Sequence, residues 1–227
     1  MRTRFQQGLD ELREKLLKMG GMAEQAVDRA CRAYRDRDLT LCHRVLENES
    51  LINAAEREID GVALDLLAMQ QPMAIDLRFI LAVVKINADL ERVGDQAVNI
   101  AKRVMDMMDL PPADLPVDVP RMASAAAAMV QRALESFIEG KAELAQAVLE
   151  MDNVVDRMRD EAFIALVRAM NQNPAVTRQA LDALLIARNL ERVADHATNI
   201  AEDVIFWVRG ADVRHSFGIQ STLGGAT

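Results

Sequence analysis

Aromatic residues make up only 4% of this 227-residue sequence, which has six prolines and two cysteines. Cys31 and Cys42 do not form a CxxC pair, so we expect reduced thiols rather than a disulfide framework. The sequence has no apolar run of the roughly 18–20 residues that a membrane span requires. Its N-terminus lacks the apolar core of a signal peptide. These absences predict a cytoplasmic protein.

The chain also lacks a basic surplus, because its net charge is -8. This charge argues against nucleic acid or an anionic membrane as the main partner. Hydrophobic residues make up 51% of the sequence and are mostly alanine, leucine, valine and methionine. Such a composition provides a sizeable core and favours helical bundles, in which small and unbranched side chains pack closely.

One stretch occurs twice. Residues 90–104 read LERVGDQAVNIAKRV and residues 190–204 read LERVADHATNIAEDV, with ten of fifteen positions identical at a spacing of 100. Neither copy contains proline, and apolar residues recur at helical spacing, so both are predicted to be helical. Glutamate, aspartate and asparagine stand at i, i+4 and i+8 in each copy and therefore share one helix face.

Apolar stripes with helical spacing predict six helices, three on each side of a proline-rich segment. The stripes of the first two helices recur 103 residues later, and the third recurs at a spacing of 100. Asp76 is a plausible N-cap for the third helix. The predicted fold is all-α, elongated, and built from two tandem three-helix bundles. We assign residues 1–110 to the first bundle, 111–116 to a linker, 117–210 to the second bundle and 211–227 to a loose tail.

The hairpin geometry brings acidic residues together. In the second half, antiparallel pairing about residues 173–174 places Glu191 opposite Asp156 and Asp195 opposite Asp152. The repeat spacing maps the latter two onto Glu49 and Asn53 in the first half. A different register, using Glu56 and Asp60, fits the stripe of the second helix less well. The predicted site residues are Glu49, Asn53, Glu91, Asp95, Asp152, Asp156, Glu191 and Asp195.

Four carboxylates at one interface cannot all ionise without compensation. Arginines offer the simpler explanation, and Arg92, Arg192 and Arg188 are the candidates. A hard cation is the alternative, because oxygen-rich sites suit Mg, Ca, Mn or Fe. The duplication of the acidic motif in two halves favours the cation.

The paired LERxxD motifs resemble the PhoU family of phosphate-specific transport accessory proteins. Further similarities are Gln71-Pro72-x-x-x-Asp76-Leu77-Arg78, the stretch from Ile186 to Ile200, and Trp207-Val-Arg-Gly210-x-x-x-Arg214-His215. The resemblance covers essentially the whole chain. It implies two tandem three-helix bundles and a cytoplasmic regulator that is not an enzyme.

The resemblance also implies partners and metals. Family members repress phosphate uptake and the phosphate-starvation response by linking the ATPase subunit of a phosphate ABC transporter to a sensor histidine kinase. A homodimer is expected, with membrane association only through partners. Some members bind multinuclear metal clusters through E(D)xxxD motifs, so Fe, Mn, Mg or Zn ions are expected at the predicted site residues. Asn53 departs from that motif, which predicts weaker binding in the first half.

Two other functions are considered. A ferritin-like metalloenzyme would use Glu-x-x-His on its helices, and none of His43, His196 and His215 follows a glutamate at that spacing. A purely structural coiled-coil adaptor would explain the apolar stripes but not the doubled acidic motifs.

Overall fold

The computed structural model describes residues 4–70, 72–211 and 213 of the chain, and it confirms the predicted all-α fold. Within those residues there are six long helices and no strands. The helices are α1 (Arg4–Asp36), α2 (Leu39–Gln70), α3 (Ala74–Met108), α4 (Val119–Glu139), α5 (Ala142–Gln172) and α6 (Thr177–Arg209). No helix in the described part of the chain has the length and apolarity to cross a membrane. The predicted loose tail lies almost entirely outside the described residues.

Helix α1 runs without interruption through two adjacent glycines, Gly20 and Gly21. A Cβ atom at Gly20 would lie 2.7 Å from Leu134 Cδ1 of α4, whereas a Cβ atom at Gly21 would meet nothing within 4 Å. Gly20 therefore permits close packing between α1 and α4 that a larger residue would obstruct. The structure gives no comparable packing reason for Gly21.

The helix starts follow side-chain capping signals only in part, because α3, α5 and α6 begin without a capping hydrogen bond from a side chain. Helix α3 begins at Ala74 with Met73 as its N-cap, so the prediction that Asp76 caps this helix is wrong. Asp76 instead lies in the first turn, where a carboxylate interacts favourably with the helix dipole. Asp118 caps α4 by accepting a hydrogen bond from the backbone N–H of Arg121 at 3.0 Å.

Each half packs its three helices against one another, and the two halves also meet through α1 with α4 and α3 with α6. One hydrophobic core runs through both halves. At one end of the molecule, Phe79 of α3 stacks on Phe137 of α4, and Trp207 of α6 packs against both rings. The guanidinium of Arg13 lies 5.4 Å from the Phe79 ring centroid. This core includes residues from both halves. The predicted division into two domains stays a prediction.

Helices α3 and α6 lie antiparallel, as their polar contacts show, and these contacts join the two halves. Lys85 pairs with Asp203 at 3.3 Å, and Arg103 approaches Asp182 at 3.7 Å. Both aspartates are nearly buried. Between these pairs, the buried Asp89 accepts a hydrogen bond from Asn199 at 3.1 Å. Its Oδ1 also lies 2.9 Å from His196 Nδ1.

Candidate functional site

The hairpin of α5 and α6 brings together the four acidic residues predicted for the second half. Burial raises the pKa of Asp195 to about 6, with further contributions from Glu191, Asp152 and Asp156. Burial also raises the pKa of Asp152, and Asp156 is the next cause. The Asp195 residue is exposed, so the surrounding helices remove only part of the solvent from its carboxylate. The four carboxylates therefore share one strongly negative interface.

Arg159 supplies a cation to this interface, and sequence reasoning missed it. Its Nη2 atom lies 3.5 Å from Glu191 and 3.8 Å from Asp156, and its Nη1 atom lies 2.9 Å from Asp160. Arg159 follows Asp152 by seven residues, or about two helical turns. That spacing places it on the acidic face and could have identified it.

The first half brings a different set of acids together. Burial is the largest cause that raises the pKa of Glu91. The negative charges of Asp95 and Glu56 raise it further, and that of Glu49 has the weakest effect. Glu56 acts on Glu91 more strongly than Glu49 does, so Glu56 also lies near the predicted site, and the choice between the two registers stays a prediction. Glu56 follows Glu49 by seven residues in α2 and so lies on the same helix face.

Asp60 and Asn53 have different surroundings. Asp60 accepts a hydrogen bond from the buried side chain of Asn87 at 3.0 Å, and Asn87 also donates to the backbone oxygen of Glu56. This bond ties Asp60 to a buried amide. Asn53 is partly buried in α2, one turn after Glu49.

Aligning the two halves by the repeat spacing shows that they differ in charge at one position of the acidic face. A spacing of 103 aligns Glu56 with Arg159, so the first half carries a carboxylate where the second half carries a guanidinium. The first acidic face is thus the more negative at this position, although Asn53 replaces an acid nearby.

The two motif arginines do not neutralise their own aspartates. Among the described residues, neither Arg92 nor Arg192 forms an ion pair or a hydrogen bond. Arg92 lowers the pKa of Glu91 only as a secondary electrostatic effect. The simpler explanation of the acidic faces, pairing with these arginines three residues back, is therefore not seen.

The donor chemistry of both faces suits a hard cation, because carboxylate oxygens are the ligands that Mg, Mn and Fe accept. Burial is the largest cause of the raised pKa values of Glu91 and Asp195, and neighbouring carboxylates raise both further. Their side chains are not gathered around one point, however. Across the described ranges, no three histidine, cysteine, aspartate or glutamate side chains lie close enough to hold one ion. A cation would require rotamer changes.

Comparisons with known proteins show which family this chain resembles. The family description "PhoU domain" matches residues 16–104 and 119–204. A phosphate-specific transport system accessory protein PhoU homolog from Pseudomonas aeruginosa is 40% identical over 214 residues, covering 93% of this chain and 88% of that protein. Its counterpart from Rhizobium meliloti is 35% identical over 227 residues, covering 98% and 96%.

Solved structures agree. The crystal structure of PhoU from Pseudomonas aeruginosa matches with a TM-score of 0.87 at 39% identity, covering 92% of this chain and all of that one. The phosphate transport system regulatory protein PhoU from Streptococcus pneumoniae matches with a TM-score of 0.86 at 25% identity, covering 92% of this chain and 99% of that one. This chain, with its two copies of the domain, belongs to the PhoU family.

Proposed function

We propose that this protein is a cytoplasmic regulator of phosphate homeostasis and not an enzyme. It represses phosphate uptake and the phosphate-starvation response by coupling the ATPase subunit of a phosphate ABC transporter to a sensor histidine kinase. The observation that carries the proposal is the match over nearly the whole chain to relatives named as phosphate-specific transport accessory proteins.

Exposed apolar side chains support a role in protein binding. Leu81 is 40% exposed on α3 and Leu181 is 47% exposed on α6. These two leucines are repeat equivalents at a spacing of 100. Leu77 precedes Leu81 by one turn and Leu185 follows Leu181 by one turn, and both are also exposed. Each half therefore offers a short apolar strip for a protein partner. A homodimer is the expected form in solution.

The acidic faces are proposed to take up hard cations, with Fe, Mn, Mg or Zn as the candidates. Glu49, Glu91 and Asp95 would hold the ion in the first half, with Glu56 and Asn53 beside them. Asp152, Asp156, Glu191 and Asp195 would hold it in the second half. A bound cation would neutralise the mutual repulsion of these carboxylates and so stabilise the packing of α2 on α3 and of α5 on α6.

Gene deletion tests the regulatory function. Loss of this protein should leave a reporter of phosphate-starvation genes switched on in phosphate-rich medium, and expression of the wild-type chain should restore repression. Any second PhoU-like gene must be deleted in the same strain, so that redundancy cannot hide the effect. Normal repression in that strain would contradict the proposal.

The partners can be tested separately. The tagged chain should co-purify the transporter ATPase subunit and the sensor kinase from cells grown in high phosphate, and recovery should be compared with cells starved of phosphate. Replacing Leu81 and Leu181 by serine should reduce recovery if these strips dock the partners, while the exposed Leu51 serves as a control position.

A further inference from the structure

A polar cavity of about 530 Å³ lies between α3 and α6, apart from the apolar core and next to the acidic face of the second half. This volume is in the range of small-molecule sites in proteins. The cavity lies where the two LERV repeats meet, since Arg92 and Gln96 line it from one half and Arg192, His196 and Asn199 line it from the other. Thus both halves must be present to form it.

The two arginines leave their guanidinium groups available to a ligand. Both residues are exposed, and neither has a hydrogen bond or an ion pair within the described part of the chain. An arginine guanidinium presents a planar fork of N–H donors that matches the oxygens of phosphate, sulfate or a carboxylate. Two such residues line one cavity, one from each half.

Gln96 gives an independent indication of a ligand. Its side chain is only 7% exposed, and its Oε1 atom is buried without a hydrogen-bond partner in the described residues. Buried amides are nearly always hydrogen-bonded. The oxygen and nitrogen of a glutamine amide can exchange places by a flip, so Gln96 can present either a donor or an acceptor to an occupant of the cavity.

The charge of the lining selects the class of ligand. Two arginines line the cavity, and of the described lining residues Asp195 alone carries a carboxylate. The amide of Gln96 adds a neutral hydrogen-bonding group, whereas the amide of Asn199 already donates to Asp89. An excess of guanidinium groups together with an amide favours a small anion that has several oxygens over a cation or an apolar molecule.

We propose that this cavity is a binding site for a small tetrahedral oxyanion of the phosphate or sulfate class, held between Arg92 and Arg192 across the two halves. The free anion and the phosphate group of a phosphomonoester share this chemistry. The site shares Asp195 with the carboxylates proposed to hold metal, so its test is made without metal, and that test requires neither the transporter nor the kinase. If the regulatory proposal fails, the anion-binding site can therefore still be tested by itself.

Isothermal titration calorimetry with the full chain tests the site. The protein is treated with EDTA, so that no metal bridges the anion, and titrated in chloride buffer with sodium phosphate, sodium sulfate or AMP at constant ionic strength. We expect saturable binding of at least one anion at one site per chain. Arg92→Gln and Arg192→Gln should each weaken it at least tenfold, whereas Arg132→Gln, an exposed change on α4, should alter it less than twofold.

Further variants separate a built site from diffuse attraction. Arg92→Lys keeps the charge but loses the fork, so it should also weaken binding. Gln96→Met should also weaken anion binding, and it does so without changing the charge. If circular dichroism shows that an arginine variant is unfolded, Gln96→Met tests the site in its place. The proposal is overturned if neither phosphate, sulfate nor AMP binds saturably. It is also overturned if binding survives in both arginine-to-glutamine variants, or falls equally in Arg132→Gln.

Discussion

The guanidinium of Arg159 lies 3.5 Å from the carboxylate of Glu191, across the interface between α5 and α6. The second half of this PhoU-family chain therefore carries its own counter-charge. At the equivalent position the first half has Glu56, which raises the pKa of Glu91. The two acidic faces are alike in sequence and different in electrostatics.

The first prediction concerns that counter-charge. In EDTA, Arg159→Gln should lower the free energy of unfolding by about 1 kcal/mol, because Asp156 and Glu191 lose their nearest cation. On addition of Mn²⁺, the same variant should show a larger rise in melting temperature than the wild type, since the guanidinium no longer competes with the metal. Arg157→Gln, an exposed neighbour, is the control. An unchanged Mn²⁺ response would show that Arg159 does not compete.

The second prediction concerns the acids of the second half without metal. Asp152→Asn/Asp195→Asn should raise the melting temperature in EDTA and abolish any rise that Mn²⁺ or Fe produces at this half. Asp65→Asn, an exposed change on α2, provides the control. A double variant that melts below the wild type in EDTA and keeps its full metal response would rule out a cation site formed by these acids.

Asp195 gives the stability of the metal-free protein a defined pH dependence. Because its pKa is raised from 3.8 to about 6, the folded state holds this proton more tightly than the unfolded state. Its contribution to stability is full below pH 4 and is lost as the pH rises through about 6. Solvent screens a partly exposed carboxylate, so the loss is about 1 kcal/mol. Urea titrations of wild type and Asp195→Asn from pH 4 to 7 should diverge by this amount, and parallel curves would contradict it.

The fourth prediction compares two adjacent glycines. Gly21→Ala should stabilise the protein by about 1 kcal/mol, because alanine favours the helix and its Cβ meets no neighbour. Gly20→Val should destabilise it by about 1–3 kcal/mol through overpacking against Leu134. Urea denaturation measures both. Equal effects at the two positions would mean that the contact between α1 and α4 is not tightly packed.

The fifth prediction concerns the domain boundary. A fragment of residues 1–110 should be soluble and strongly helical by circular dichroism, and it should bind a fragment of residues 117–227 because α3 and α6 bury polar and apolar groups together. Size-exclusion chromatography of the mixture checks the association. An unfolded first fragment would place both halves in one folding unit and remove the boundary at residues 111–116.

Local sequence signals predicted the helices well and the cross-chain contacts only partly. Apolar spacing and proline positions identified all six helices, because these signals act within a few turns. The pairing of α5 with α6 followed from the short turn between them. The start of α3 at Ala74 was missed, because Met73 caps the helix without a side-chain hydrogen bond.

The interface between the halves was not foreseen. Buried polar residues such as Asp89, Gln96 and Asp203 have the composition of a solvated face, and only the packing of α3 on α6 buries them. No periodic pattern encodes a contact between segments a hundred residues apart. Arg159 was missed because it follows Asp152 at i+7, outside the i, i+4 motif, and Glu56 was considered only in the register that fits the stripe of α2 less well.

Helix α3 is synthesised before α6, the helix that covers its polar face. Helix α3 ends at Met108 and α6 ends at Arg209. At ~5–20 residues per second, the ribosome therefore needs about 5 to 20 s after the end of α3 to complete α6. During that interval the face of α3 that will receive α6 has no partner. Asp89, Gln96 and Lys85 keep that face hydrated, which should limit aggregation of the nascent chain while its second half is made.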